Sequence, residues 1–119
     1  MTAETSQGVL SDTGLRALIA AGAVLPDRPV TDAQIQPASI DLRLGSVAYR
    51  VRASFLTGPS RKVADRIAEF EMHRISLTDG AVLEKGCVYL VPLQESLALP
   101  PGLSAVANAK SSTGRLDLL

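Results

Sequence analysis

Cysteine is almost missing from this chain of 119 residues, in which Cys87 is the only one. No intramolecular disulfide can form, and a reducing compartment fits. Histidine is as scarce, with His73 alone. One Cys and one His cannot build a tetrahedral N/S zinc site. A Ser-His-Asp triad could only run through His73, and no nucleophile-elbow motif accompanies it. Tryptophan is absent and aromatics make up 3% of the chain. The core must therefore come from Leu, Val, Ile and Ala, which a 46% hydrophobic composition allows. Charge of one sign is lacking too, since 12 basic and 12 acidic residues cancel. Without a basic run or interleaved aromatics, nucleic acid and membrane surfaces are poor partners. The longest apolar run, Leu15 to Leu25, is broken by Arg16 and Gly22 and is too short to span a bilayer. No signal peptide is apparent, so a cytoplasmic location is expected. Residues 1–8 are polar and read as a disordered tail, and residues 9–119 as one domain's worth of chain.

What is present organises into short segments. Ser11 and Asp12 suit a helix start, Leu15, Leu18 and Ile19 follow at helical spacing, and Gly22 suits the residue just past its end. A helix over Asp12 to Ala21 is predicted, then a short strand at Val24-Leu25 and a loop through Pro26, Asp27, Pro29 and Asp32. Ile40, Leu42 and Leu44 alternate with Ser39, Asp41 and Arg43, the pattern of a strand with one polar face. Asp41 and Arg43 read as a structural charge pair on that face. Val47, Tyr49 and Val51 alternate as another strand. Thr57 to Ser60 is a break, and Val63, Ile67 and Phe70 predict a short surface helix. Further strands are expected at Ile75 to Leu77, Ala81 to Leu83, Cys87 to Val91 and Ser96 to Leu99. Cys87 reads as a core residue and His73 as a surface one. Glu84 and Glu95 sit beside turns, where carboxylates are usually solvated. Strands this short and frequent point to an all-β barrel or jelly roll.

The stretch richest in chemistry comes last. Lys110-Ser111-Ser112-Thr113-Gly114-Arg115 groups two cations and three hydroxyls around a glycine. Arg offers a planar fork of donors, Lys a point charge, and Ser a donor that rotates to fit, which together suit a phosphate chain. Gly114 would let the backbone turn or approach a ligand. On composition alone, most short polar stretches of this kind are ordinary solvated turns. It is not a Walker A loop, because the Gly-x-x-x-x-Gly-Lys-[Ser/Thr] order is absent.

Three segments in order carry a resemblance. Lys110 to Leu116 resembles the Arg/Lys-Ser-Ser-x-x-Arg-Leu motif of dCTP deaminases, relatives of the dUTPases. Gln36-Pro37-Ala38-Ser39-Ile40-Asp41-Leu42-Arg43-Leu44-Gly45 is similar to that family's Pro-Ala-Ser-Ile-Asp-[Val/Leu]-Arg-Leu-Gly segment. Val9-Leu10-Ser11-Asp12 is similar to the opening of its first helix. Thr113-Gly114 stands where the common form has Leu-Ala, and Asp117 where Gly is frequent, which fits a divergent branch such as a longer form with two modules. Residues 57–74 have little counterpart and read as an insertion.

The resemblance implies a mainly β, dUTPase-like distorted barrel or jelly roll, incomplete here, with an N-terminal helix and a short inserted helix. It implies deamination of dCTP to dUTP and ammonia without zinc, which the missing His-x-Glu and Cys-x-x-Cys set also requires. Ser111 and Arg115 would be catalytic. Lys110, Ser111, Ser112, Thr113, Gly114 and Arg115 would bind the triphosphate, with magnesium riding on its oxygens. The implied ligands are dCTP and dUTP, with dTTP a candidate regulator, and the implied assembly is a homo-oligomer, a trimer in the family. The general-base glutamate is expected beyond Leu119, within a longer protein. The 119 residues alone are accordingly expected not to deaminate dCTP. Asp117 would pair with Arg115 across one strand face. Two rival readings are a dUTPase-type pyrophosphatase and a non-catalytic nucleotide-binding or assembly module.

Overall fold

The computed structural model describes residues 7–118. They form two compact units. One comprises the described residues up to Leu42 and those from Glu95 onward, and the other runs from Arg43 to Gln94. Most of the tail expected over residues 1–8 lies outside the described residues.

The first unit opens with α1, Asp12–Ala20. Ser11 holds the extended N-cap conformation, although its hydroxyl makes no capping bond. The C-terminal end is closed by glycine chemistry. Gly22 adopts φ +80°, its N–H reaches the Ile19 carbonyl at 3.1 Å, and Ala23 N–H reaches the Leu18 carbonyl at 3.0 Å. This crossed pair satisfies carbonyls that the helix end would leave open. The turn delivers the chain directly into β1, Val24–Pro26, which pairs antiparallel with β5, Glu95–Leu97. Leu15, Ala23 and Val24 are buried around this junction. Asp32–Gln34 forms one 3-10 turn, tied to α1 by an exposed Arg16–Asp32 ion pair of 2.7 Å.

The second unit is a three-stranded antiparallel sheet in the order β3-β2-β4, made of Glu71–Ser76, Val47–Val51 and Val88–Leu90. The central strand supplies the buried Ala48 and Val51. The helix α2, Val63–Phe70, stands before β3. Its apolar side faces Leu90, Val91 and Pro92 across a groove of about 310 Å³. Phe70 stacks on Phe55 with ring centroids 4.7 Å apart, and the Arg66 guanidinium lies over both rings at 5.3 and 5.8 Å. Arg61 and Arg66 both reach the Glu69 carboxylate, at 2.6 and 3.1 Å. The two ends of this unit are fastened to each other. Gly45 N–H meets the Pro92 carbonyl at 2.7 Å and Gln94 N–H meets the Arg43 carbonyl at 2.9 Å. The Gln94 side chain adds a bond to the Leu44 carbonyl at 2.9 Å.

Among the described residues, five strands in two open sheets with short helices give the mainly β class that the sequence predicts. Several segments differ from expectation. Ile40 to Leu44 is no continuous strand; Ile40 bridges to Ile35 and Leu44 to Leu93, each in isolation. Pro37 lacks a ladder donor, and Gln36 N–H turns back to the Ser39 carbonyl at 2.8 Å, so the chain loops instead of running straight. Ala81 to Leu83 joins no ladder among the described residues and is exposed. The strand placed at Ile75 begins earlier, at Glu71, because β2 offers partners along its whole length. His73 is exposed within it, as expected. Cys87 is half-buried rather than core, with Sγ 3.5 Å from a Glu84 carboxylate oxygen.

Candidate functional site

The cationic stretch Lys110 to Arg115 begins at the end of residues 98–110, which contain no helix or strand. Lys110 is extended, with φ −57° and ψ 145°, and the next four residues coil into α3, Ser111–Gly114. What reads in sequence as a turn is thus one helical turn. Gly114 N–H bonds to the Lys110 carbonyl at 2.8 Å and Arg115 N–H to the Ser111 carbonyl at 3.0 Å. Ser111 and Arg115, four residues apart, therefore share one face of that turn. Gly114 needs no left-handed backbone here, and a Cβ at this position would meet nothing within 4 Å. Asp117 takes the left-handed conformation instead, at φ 61°. That geometry ends the turn and removes the strand on which Arg115 and Asp117 would have shared a face. Asp tolerates it because its short polar side chain suits the left-handed region better than most.

Lys110, Ser111, Ser112, Gly114 and Arg115 are exposed and Thr113 is half-buried. One of them is already engaged. The Lys110 ammonium lies 2.8 Å from Oδ2 of Asp41, whose side chain is 24% exposed. This contact joins the two segments that carry the strongest motifs, although 69 positions separate them in sequence. Asp41, expected as the partner of Arg43, is thereby part of the site.

Asp41 is in turn gripped from behind. Its N–H donates to the Gln34 carbonyl at 2.8 Å, and its own carbonyl accepts from Gln34 Nε2 at 2.9 Å. The same Nε2 donates to Glu95 Oε1 at 3.0 Å, while Gln34 Oε1 accepts from Thr31 N–H at 2.9 Å. Both ends of the amide are used, which fixes its orientation. Gln34 and Glu95 are 7% and 6% exposed, so Glu95 is a buried carboxyl rather than the solvated one expected. Gln36 Nε2 adds a longer contact of 3.4 Å to Asp41 Oδ2. Sequence reasoning missed this trio of Gln34, Asp41 and Glu95. One signal was readable, since Thr31-Asp32-Ala33-Gln34 has the Ser/Thr-x-x-Glu/Gln spacing that closes a helix start. Nothing local announces that Glu95 is buried, because its partner lies 61 residues away.

Chemically, the exposed cations and hydroxyls can hold oxyanions. Ser and Arg can orient and polarise, but neither is a good base near neutral pH. Comparison with known proteins agrees with the motifs. Residues 6–119 match the family model described as 2'-deoxycytidine 5'-triphosphate deaminase (DCD) N-terminal domain. The chain belongs to this family. A curated relative from Acidothermus cellulolyticus, named "dCTP deaminase, dUMP-forming", is 36% identical over 93% of this chain and 57% of its own length. Another from Halorubrum lacusprofundi, named "dCTP deaminase", is 29% identical over 93% of this chain and 56% of its own length. A crystal structure of 2'-deoxycytidine 5'-triphosphate deaminase from Agrobacterium tumefaciens superposes with a TM-score of 0.86 at 57% identity, covering 92% of this chain and 33% of that one. The chain thus spans little more than half the length of the curated relatives it matches.

Proposed function

We propose that the whole protein to which this chain belongs hydrolyses the 4-amino group of dCTP, giving a uracil nucleotide and ammonia, without zinc. The observation that carries the reading is the 2.8 Å contact between Lys110 and Asp41, which brings the two family motifs together in space. Lys110 and Ser112 hold the triphosphate, with Thr113 and the Gly114 backbone beside them. Ser111 orients the attacking water or the base, and Arg115 places positive charge near the reacting carbon. The catalytic power comes from positioning and preorganised charge. A glutamate from beyond Leu119 accepts the proton of the attacking water. Magnesium rides on the triphosphate, whose hard oxygens suit it. Assembly as a homotrimer, a cytoplasmic location and regulation by dTTP belong to the same reading and are supported by the resemblance alone.

Deamination alone yields dUTP. The name of the Acidothermus cellulolyticus relative ends at dUMP, and that favours a variant of the reading in which the same site also cleaves the phosphoanhydride. Chromatography of the reaction products separates the two outcomes. The role of the cationic turn is tested by Ser111→Ala and Arg115→Ala in the whole protein. Each should lower kcat for ammonia release by at least ~100-fold, as loss of a preorganised polar group commonly does. Near-normal turnover in both variants would remove Lys110 to Arg115 from the active site.

A further inference from the structure

We propose that the buried pair Gln34–Glu95 is a positioning device for phosphate binding, acting on Lys110 through Asp41. The inference rests on the reading of Lys110 as a triphosphate ligand. A Lys side chain on an extended backbone has many rotamers, and phosphate affinity suffers when they must be frozen on binding. Here the ammonium is already held by Asp41, which occupies one of its three donors and leaves two for phosphate oxygens. A carboxylate can hold a Lys in place only if it is itself held. Asp41 sits in a loop without strand pairing, so its backbone is fixed by the two reciprocal bonds to Gln34. Gln34 in turn is fixed by Thr31 and by the buried Glu95 on β5. A buried carboxyl against a buried amide is costly to desolvate and has a single low-energy arrangement. The arrangement therefore sets where the Lys110 ammonium stands.

Exchange of the two residues separates positioning from packing. In the double variant Gln34→Glu/Glu95→Gln the amide and carboxyl still meet, and the carboxylate now at position 34 can still accept from Thr31. That carboxylate cannot donate to the Asp41 carbonyl, so one of the two bonds that fix Asp41 is lost and its hold on Lys110 loosens, while the Asp41 N–H bond to the residue-34 carbonyl and the buried pair survive. In the whole protein, binding of inorganic triphosphate followed by calorimetry should weaken by ~10-fold or more, the scale seen when residues behind a binding group are altered. The melting temperature should stay within about 4 °C of the parent, the change that ~1 kcal/mol or less produces. Asp41→Asn, a shape-conserving change at a partly exposed side chain, should weaken binding by the same factor and serves where the exchange fails to fold. In a Lys110→Met background both effects should shrink to less than ~2-fold, since nothing remains to be positioned. Unchanged or tighter triphosphate binding in the variants, or a loss that persists undiminished without Lys110, overturns the proposal. So does a parent protein that binds no triphosphate. A parent that binds triphosphate but releases no ammonia from dCTP refutes the deaminase reading and leaves this one standing.

Discussion

A methyl group added to Gly45 would stand 2.6 Å from the Pro92 carbonyl oxygen, a distance real Cβ atoms do not adopt. The same glycine donates its N–H to that oxygen at 2.7 Å, so the two backbones cannot part without losing the bond. Backbone against backbone leaves no flexible side chain to move aside. Gly45→Ala should therefore cost ~1–3 kcal/mol, the usual range for forced overpacking. Denaturant unfolding of the parent and variant measures it, and a change below ~0.5 kcal/mol would show that the chain yields there more easily than the geometry implies. This glycine falls at the end of the segment similar to the family motif, and as part of that motif it was legible in the sequence. The reason for it was not, because Pro92 lies 47 positions away.

Elements whose cause is local were legible, and those whose cause is distant were not. α1 and α2 follow from helical spacing within a dozen residues, and Gly22 marks the end of the first as expected. Ile40 to Leu44 alternates like a strand yet finds no continuous partner, and Ala81 to Leu83 finds none among the described residues. Alternation reports a willingness to pair, while pairing needs a neighbour that sequence does not name. For the site, the grouping of Lys110 to Arg115 was visible, whereas its support by Asp41, Gln34 and Glu95 depended on the fold. α2 also makes a prediction at its own scale. The Arg61 hydrogen bond to Glu69, helped by the charges of Arg61 and Arg66, outweighs desolvation and lowers that carboxyl's pKa from its ordinary 4.5. A lowered pKa means stabilisation that is fully present above pH 4.5 and lost as pH falls through the folded-state value. Amide protection in Val63–Phe70, measured by NMR as exchange relative to the intrinsic rate at each pH, should fall across that acid window in the parent. In Glu69→Gln the window should flatten. Identical acid dependence in both would place the responsible carboxyl elsewhere.

At the scale of the whole molecule, the chain leaves the first unit after Leu42 and rejoins it at Glu95. The three hydrogen bonds among Arg43, Leu44, Gly45, Pro92 and Gln94 clasp the excursion where it starts and finishes. The loop around Gly58, at φ +75°, carries exposed residues and no regular pairing. Closing a slightly longer loop costs little, since the entropy grows only with the logarithm of length. Two residues inserted after Gly58 should lower stability by well under ~1 kcal/mol and leave triphosphate affinity unchanged, as thermal unfolding and calorimetry would show. A large loss of affinity would mean that the loop's length is felt at Lys110. The fastened entry and exit make residues 43–94 a cassette. Descendants of this chain can lengthen, trim or redecorate the loop around Gly58 generation after generation, while inheriting the turn from Lys110 to Arg115 unaltered.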